Sequence, residues 1–354
     1  MMMQLAEEEE EILIPVSDYH TFENAKNSSH KIADKAKLGS TDRQTFCVKY
    51  DYYDKYIAAG HNDGTIRIYN TMTEKEAFVI NKDMEDPSPI TNIKWRPPAA
   101  PSITKNVLIS ISANGALQHW HTTSGKLLHT IYDEFNQLLG VDYKPDGCQF
   151  AAAGTDTVVR VYDEATRKLV SELKGSVSGK PGHSNRVFCC KFDKENENIL
   201  LSGGWDNTIQ IWDLREGGSI RSIYGPKICG ESIDIREGYI VTGSYRKDNQ
   251  IEIWKCDTGD YVGAVPWDEA LPSQEPCFVY SMQFRKGHGN ILIAGGAVSN
   301  EVKLFDTFDY FKPIAQIKDL SRACFTVDFS QDGDSFAMGG GDGVIRVFSL
   351  HKDL

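Results

Sequence analysis

The sequence of 354 residues lacks the features of several protein classes. None of its eight cysteines stands in a CxxC pair, and several fall in predicted strands, where a free cysteine acts as a small hydrophobe. We therefore expect a reducing compartment, with a disulfide-bonded secreted protein as the alternative. The N-terminus lacks the basic region and apolar core of a signal peptide, and no stretch is apolar for the length of a membrane span. We expect a soluble, cytoplasmic protein, with the cytoskeleton, cilium and nucleus left open.

Positive charge is scarce as well. The chain has 38 Lys and Arg against 50 Asp and Glu, which gives a formal net charge of -12 at pH 7. Nucleic acids and anionic membranes attract surfaces on which Lys and Arg are clustered. The balance therefore predicts no direct nucleic-acid binding and no membrane insertion, although a local basic patch stays open.

A repeated pattern is most complete in the stretch from Gly182 to Leu214. It contains a Gly-His pair, an apolar run, a second run that ends in Ser-Gly-Gly, a turn at Asp206-Asn207, and a third run that ends at Trp212-Asp213. Three short alternating strands joined by two turns form a meander. Such a sheet would have two open edges if it stood alone, so it needs neighbours.

Weaker copies of this stretch fill the rest of the chain. A period-two strand ends in an aromatic residue seven times, at Tyr69, Trp120, Tyr162, Trp212, Trp254, Phe305 and Phe348. Six residues before each aromatic is a short side chain that can hold a tight turn: Asp63, Asn114, Asp156, Asp206, Asp248, Ser299 and Asp342. A spacing of roughly 40 to 50 residues between copies indicates a propeller array.

The best copy resembles a WD repeat, the four-stranded blade of the family typified by the G-protein beta subunit. The resemblance rests on Gly182-His183, Ser202, Asp206 and Trp212-Asp213. In that family the His, Ser, Asp and Trp form a hydrogen-bonded structural tetrad, here His183, Ser202, Asp206 and Trp212. The resemblance implies an all-β fold, a single closed seven-bladed β-propeller with the N-terminal segment completing the last blade.

The two ends of the chain suggest how the ring closes. The last repeat stops near Phe348, so it lacks an outer strand, and we expect residues between Ile12 and Phe22 to supply it. Residues 23–43 are polar and are predicted to form a surface connection. We therefore divide the chain into residues 1–44 (acidic tail, closing strand and connection) and a propeller of residues 45–354. Glu7–Glu11 is expected to be a solvated run, and a partner-binding acidic tail is the alternative.

We predict a partner-binding face from residues that the propeller fold itself does not require. In WD-repeat proteins, the positions before the turn residue and at the start of each inner strand lie around one mouth of the channel, where partners commonly dock. An exposed tryptophan there is the kind of side chain that dominates interface energy. The predicted face consists of Trp205, Arg186, Phe278, Tyr245, Lys247 and Gln137. This mixture of aromatic and basic groups suits an acidic or phosphorylated peptide.

Catalytic and metal sites are disfavoured by the same pattern. His183 could be a general base, but its place in the tetrad favours a structural histidine. His119, His121 and His129 could in principle hold zinc, but no Cys or carboxylate at fixed spacing supports a site. We expect no catalytic residue, no metal and no cofactor.

The favoured function is a non-catalytic protein-interaction scaffold that presents a rigid face to other proteins or peptides in a larger complex. By family analogy alone, a cytoskeletal or ciliary assembly is preferred. One alternative is a reader of modified or acidic peptides, as in chromatin complexes or ubiquitin-ligase adaptors. It would need an aromatic cage or a carboxylate at the channel mouth. A propeller hydrolase, the second alternative, would need metal ligands or paired acids in the channel.

Overall fold

The computed structural model describes residues 16–81, 87–102, 104–175, 179–269 and 271–352. These residues form seven antiparallel sheets of four or five strands, arranged one after another around a ring. The protein is a closed seven-bladed β-propeller, as the repeat predicted. Among the described residues, no helix is long and apolar enough to cross a membrane.

The first four blades follow each other along the chain after two strands, β1 (Thr21–Asn24) and β2 (His30–Gly39), that join the last blades. Blade 1 contains β3 (Thr45–Tyr50), β4 (Tyr56–His61), β5 (Ile66–Asn70) and β6 (Glu76–Ile80). Blade 2 contains β7 (Ile90–Trp95), β8 (Val107–Ser112), β9 (Ala116–His121) and β10 (Lys126–Tyr132). Blade 3 contains β11 (Leu138–Tyr143), β12 (Gln149–Gly154), β13 (Val159–Asp163) and β14 (Leu169–Leu173). Blade 4 contains β15 (Val187–Phe192), β16 (Ile199–Gly204), β17 (Thr208–Asp213) and β18 (Gly218–Tyr224).

The last three blades complete the ring. Blade 5 contains β19 (Ile233–Arg236), β20 (Tyr239–Gly243), β21 (Ile251–Lys255) and β22 (Tyr261–Ala264). Blade 6 contains β23 (Cys277–Phe284), β24 (Ile291–Val298), β25 (Val302–Asp306) and β26 (Lys312–Lys318). Blade 7 contains β27 (Cys324–Phe329), β28 (Ser335–Gly340) and β29 (Val344–Lys352).

The short polar residue of each repeat fixes the turn between the second and third strands. In five blades its side-chain oxygen accepts a hydrogen bond from the backbone N–H two residues later, at 2.9–3.2 Å: Asp63, Asn114, Asp156, Asp206 and Asp342. These bonds are the local interaction for which the side chains were singled out. Asp248 and Ser299 make no such bond within the part of the chain that the structure describes.

The hydrophobic core lies between neighbouring blades. Val159 and Leu173 of blade 3 pack in one cluster with Phe192 and Trp212 of blade 4. Each sheet thus buries its faces against the next, as expected of a repeat that cannot bury them alone. Blade 7 packs on blade 1 in the same way, which closes the ring.

The strand that closes the ring is β2, so the prediction that it lies between Ile12 and Phe22 was wrong. β2 pairs with β29 from His30 opposite Lys352 to Gly39 opposite Val344. The prediction of a surface connection over residues 23–43 was wrong for the same reason. An outer strand packs mainly on one side and needs few apolar residues, and here Ile32 and Leu38 are buried between exposed lysines.

The segment before β2 adds a fifth strand to blade 6. β1 pairs with β26, from Thr21 opposite Lys318 to Asn24 opposite Ala315. Phe22 also reaches blade 7, where its ring lies edge-on to Phe348 at 5.8 Å. The N-terminal segment therefore connects blades 6 and 7. The predicted acidic tail, Glu7–Glu11, and residues 12–15 lie outside the described residues.

Candidate partner-binding face

The four predicted tetrad residues form one hydrogen-bonded chain in blade 4. Trp212 Nε1 donates to Ser202 Oγ at 2.7 Å, Ser202 Oγ lies 2.7 Å from His183 Nε2, and His183 Nδ1 lies 2.8 Å from Asp206 Oδ2. An indole can only donate and a carboxylate can only accept, so the serine hydroxyl donates to Nε2 and the imidazole donates through Nδ1. Both histidine nitrogens are engaged inside the blade, which leaves His183 no free nitrogen for acid-base chemistry.

The mouth of the channel is built by irregularities in the inner strands. We define the upper face as the one that carries Arg186 and Trp205. Near that face the pairing of the innermost strand shifts by one residue in six blades. A β-bulge of this kind re-aims a side chain. With the matching residue of blade 5, the bulged positions form a mouth ring around one cavity: Phe46, Thr91, Leu139, Phe188, Glu231, Tyr280 and Phe325.

Trp205 stands at the edge of this ring with 39% of its surface exposed. Its indole N–H donates to Cys229 Sγ at 2.9 Å, and its ring lies 5.2 Å from the ring of Phe188. Two cations approach the same indole ring, the Arg186 guanidinium at 5.3 Å and the Lys227 ammonium at 5.6 Å. Trp205 is thus an exposed aromatic held in one orientation between positive charges.

A chain of aromatic rings continues around the mouth from blade 5 to blade 1. Tyr245 lies edge-on to Phe278 at 4.8 Å and contacts Tyr280 at 5.2 Å. Tyr280 contacts Phe325 at 5.5 Å, and Phe325 contacts Phe46 at 5.8 Å. We call these five residues the aromatic arc.

The cavity inside the mouth ring has a volume of about 240 Å³ and a mostly apolar wall. The Glu231 carboxylate enters its floor and is paired with two lysines from across the channel, 2.7 Å from Lys49 Nζ and closer still to Lys94 Nζ. Burial alone would raise the pKa of Glu231, but attraction by Lys49 and Lys94 outweighs it and holds the pKa well below its usual range. The carboxylate is therefore charged, and its charge is already neutralised.

Beneath the mouth ring, each inner strand contributes one polar residue to a charged belt: Lys49, Lys94, Asp142, Lys191, Asp234, Gln283 and Asp328. Lys94 lies 3.4 Å from Asp142, and Lys191 lies 3.3 Å from Asp234. The aspartates also accept backbone N–H bonds at 2.8–2.9 Å from the next blade, which ties blade 3 to 4, 5 to 6 and 7 to 1. The belt is thus part of the architecture of the ring.

The structure brings four of the six predicted face residues into aromatic contacts at the mouth, as two pairs: Arg186 with Trp205, and Tyr245 with Phe278. Lys247 and Gln137 are exposed, and within the described residues their side chains make no contact with the arc. Sequence reasoning missed the mouth ring and Lys227. A signal was present, because each mouth-ring residue stands four positions before the last residue of the inner strand's apolar core, as Phe46 does before Tyr50.

The residues considered for metal chemistry have other contacts. His119 is buried, with Nε2 3.1 Å from Glu164, and His121 Nδ1 lies 2.6 Å from Ser124 Oγ. His129 lies beside His119, with ring centroids 6.2 Å apart. Across the described ranges, no three His, Cys, Asp or Glu side chains are grouped so as to hold a metal ion, and all eight cysteines are free thiols.

Comparisons with known proteins agree with this architecture. The family described as WD domain, G-beta repeat matches residues 37–70, 125–163, 174–213 and 312–349. Histone acetyltransferase type B subunit 2 of Candida glabrata is 24% identical over 226 residues, which cover 58% of this chain and 51% of that protein. Autophagy-related protein 16 of Arabidopsis thaliana is 23% identical over 244 residues, which cover 67% of this chain and 44% of that protein.

A G-protein subunit is also among the similar proteins. The guanine nucleotide-binding protein G(I)/G(S)/G(T) subunit beta-1 of Homarus americanus is 28% identical over 110 residues, or 31% of each chain. The chain thus matches only about half the length of the first curated relatives. Four repeat matches, seven blades and the blade 4 tetrad lead to one conclusion: the chain carries WD repeats in a seven-bladed β-propeller.

Proposed function

We propose that the protein is a non-catalytic scaffold that binds an acidic or phosphorylated segment of a partner protein on its upper face. WD-repeat relatives support the general role of a protein-interaction scaffold. The single observation that carries the finer proposal is Trp205, an exposed indole fixed by Cys229 and flanked by Arg186 and Lys227.

The chemistry of the face favours a particular kind of segment. An apolar or aromatic side chain of the partner would enter the cavity, whose wall is mostly apolar. A carboxylate or phosphate beside it would meet Arg186 and Lys227, which are charged groups on a protein of net charge -12. A pre-formed face of this kind loses little conformational entropy when a partner binds.

A reader of methylated lysine is the second candidate, because aromatic rings and a carboxylate do meet at the channel mouth. A cationic ligand gains from a cage whose carboxylate is free to attract it. The Glu231 carboxylate is already paired with Lys49 and Lys94, and the nearby cations would repel the ligand. The acidic segment is therefore the better fit.

The kind of assembly remains a family-level proposal. We favour a cytoskeletal or ciliary complex by analogy among WD-repeat proteins, with a chromatin complex or ubiquitin-ligase adaptor as the alternative. The name of the Candida glabrata relative refers to a histone acetyltransferase, which supports keeping chromatin among the alternatives. The free cysteines support a reducing, cytoplasmic location.

Affinity capture with quantitative mass spectrometry tests the proposal. Trp205→Ala and Arg186→Glu should each deplete the same partners while the melting temperature stays close to that of the wild type. An interface tryptophan is often worth about 2 kcal/mol or more, or roughly thirtyfold in affinity. Tyr239→Ala is a matched control, because this exposed tyrosine begins β20, away from the upper face. Unchanged recovery of all partners by both face variants would rule out this face.

A peptide array separates the two candidates. Acidic and phosphorylated peptides with an aromatic residue should bind the wild type more tightly than Arg186→Glu, and added salt should weaken them. Binding of trimethyl-lysine peptides above their unmodified forms would instead favour the reader.

A further inference from the structure

The lower mouth of the channel carries a second group of converging polar side chains. Two residues beyond the end of each inner strand's apolar core, the chain crosses this mouth at Tyr52, Pro97, Pro145, Lys194, Glu237, Lys286 and Gln331. Tyr52, Lys194 and Lys286 come from blades 1, 4 and 6, and we call them the lower-mouth triad. All three lie within reach of the charges of the channel, because Lys194 acts on Lys286, and Asp142 and Asp328 act on the Tyr52 hydroxyl.

The charges above the triad are paired almost completely. Lys49 is paired with Glu231, Lys94 with Glu231 and Asp142, and Lys191 with Asp234 at 3.3 Å. Lys286 Nζ lies 2.8 Å from Asp328 Oδ2, and this aspartate also accepts from Gln283 at 3.0 Å. With Lys194, five lysines of the channel face four carboxylates that pair with them, Asp142, Glu231, Asp234 and Asp328, so one positive charge is left over. Glu237 at the lower mouth does not balance this charge, because it is paired with Arg236 at 3.2 Å.

The surplus charge resides on Lys194. Within the residues that the structure describes, its ammonium has no carboxylate within ion-pair distance, and the Tyr52 hydroxyl has no hydrogen-bond partner. The acidic side chains next to Lys194 in sequence point to backbone donors and form no ion pair with it, since Asp193 accepts from the backbone N–H of Glu195, and Glu195 from that of Glu237. Both triad members are open to solvent at the mouth, so a ligand can reach them.

The titration of the two lysines agrees with this charge balance. Burial and the neighbouring Lys191 lower the pKa of Lys194, and nearby Asp234 and Asp142 compensate only in part. Burial, with a contribution from Lys194, lowers the pKa of Lys286 to about 8, although Asp328 opposes the shift. Both ammonium groups therefore lack enough negative charge around them, and an added anion would supply it.

We propose that the lower mouth of the channel binds a phosphate-type oxyanion, held by the Lys194 and Lys286 ammonium groups and the Tyr52 hydroxyl. Charge-assisted hydrogen bonds from two ammonium groups and a neutral donor match the several acceptor oxygens of one phosphate. The group would come from a free phosphate or polyphosphate, or from a phosphorylated side chain. This site lies at the opposite end of the channel from the upper face and is independent of the proposed partner.

Calorimetric titration of the full chain at constant ionic strength tests the site. Pyrophosphate should bind saturably at one site and raise the melting temperature. Lys194→Gln should weaken the affinity by about tenfold, the loss expected for one charge-assisted contact, and Tyr52→Phe should weaken it less. Lys174→Gln is the matched control, because it removes the same charge from an exposed pair with Glu172 and should leave binding unchanged.

The source of the phosphate is distinguished by a second titration with a phosphoserine peptide and its unphosphorylated form. Tighter binding of the phosphopeptide than of pyrophosphate assigns the site to a modified protein, and the reverse assigns it to a free anion. Absence of saturable pyrophosphate and phosphopeptide binding by the wild type would overturn the proposal. So would equal pyrophosphate affinities of the wild type and Lys194→Gln, or an equal loss in Lys174→Gln. Arg186→Glu should bind pyrophosphate normally, which separates this site from the anion-binding groups of the upper face.

Discussion

Blades 2, 4 and 5 hold their strands together with an indole, whereas blades 1, 3, 6 and 7 have no tryptophan at the same position. In the first group the indole N–H at the end of the third strand donates to a hydroxyl of the second strand. The pairs are Trp120 with Ser110 at 2.9 Å, Trp212 with Ser202 at 2.7 Å, and Trp254 with Thr242 at 3.2 Å. Of these three blades, as far as the described residues show, blade 4 alone extends this bond through a histidine to the turn aspartate.

The second group places a cation two residues before its closing tyrosine or phenylalanine. The four cations are Arg67, Arg160, Lys303 and Arg346, and each forms an ion pair within its part of the ring. At the same position the tryptophan blades have uncharged or acidic residues, Gln118, Gln210 and Glu252. Residues two apart on a strand share a face, so the cation lies beside the aromatic that has no indole N–H.

This difference shows that a blade without the WD motif can still have its third strand tied to its neighbours, but by another interaction. A phenyl or phenol ring at the closing position offers no N–H to the second strand. The charged group two residues earlier instead connects the third strand to its surroundings through an ion pair. In blade 7 this connection reaches furthest. Arg346 pairs with Asp342 at 2.7 Å and donates to His20 at 3.2 Å, and His20 lies 2.8 Å from Asp34 of the closing strand.

The largest effect is expected when the ionic link of blade 7 is broken. Arg346 and Asp342 are 1% and 3% exposed, so Arg346→Met would leave a buried carboxylate without its partner. Breaking a buried pair in this way costs about 3–5 kcal/mol. Urea unfolding monitored by tryptophan fluorescence would measure the loss.

A matched variant exists in blade 1. Arg67 has the same place in its blade as Arg346, but it pairs with Glu76 of the outer strand, and both side chains reach solvent, so Arg67→Met should cost at most about 1 kcal/mol. Equal costs for the two variants would mean that the cation contributes by packing its stem, and the division of the blades into two kinds would lose its physical basis.

An intermediate effect is expected in the tryptophan blades. Ser202 Oγ is the centre of the blade 4 chain, so Ser202→Ala removes the acceptor of Trp212 and the donor to His183. Leaving two buried groups unsatisfied should cost about 2–3 kcal/mol in the same unfolding measurement.

Blade 2 provides the control for this change. Ser110 accepts a hydrogen bond from Trp120 but donates none to a histidine. Ser110→Ala should therefore lower the free energy of unfolding by about 1–2 kcal/mol. A cost in blade 2 that matches or exceeds the cost in blade 4 would show that the histidine adds no stability to the indole bond.

The seven repeats could be recognised in the sequence because each copy meets two local requirements. A turn needs a short polar side chain such as Asp63, and a buried third strand ends in a large aromatic such as Tyr69. Neither depends on distant residues, so both persist in blades that have lost the tetrad. The closing strand obeys no such local rule. Its apolar residues, Ile32 and Leu38, are too few to show a period, and only the neighbouring β29 makes it a strand.

The sequence predicted the candidate face only at residues that lie in turns and loops. Arg186 and Trp205 belong to the loops of the upper face, and the structure places them in contact. The mouth ring depends on bulges, and one extra residue moves a side chain such as Phe188 from the expected side of the strand into the channel. Strict alternation cannot reveal this change. The contacts across the channel, such as Glu231 with Lys49, depend on ring closure and are invisible to any local pattern.

The smallest effect concerns the charge of the turn aspartate in blade 4. Burial alone would raise the pKa of Asp206, but the hydrogen bonds that its carboxylate accepts from the His183 imidazole and from the backbone N–H of Ser184 outweigh it, so the pKa lies below its ordinary value. The pKa of an aspartate in the unfolded chain is about 3.9. A lowered folded pKa adds stability above that pH and loses it as the pH falls. Asp206→Asn should therefore flatten the decline of the unfolding free energy as the pH falls below about 5.

Asp51 supplies the opposite sign in the same titration, because burial raises its pKa in spite of bonds from the backbone N–H groups of Tyr56 and Lys55. A raised folded pKa adds stability as the pH falls, so Asp51→Asn should make the acid decline steeper than in the wild type. Opposite slope changes would establish that the tetrad holds Asp206 as an anion. A decline unchanged by Asp206→Asn would mean that blade 4 tolerates the protonated acid equally well. Its tetrad would then be a network of neutral hydrogen bonds, and charge would matter only in the blades that lack tryptophan.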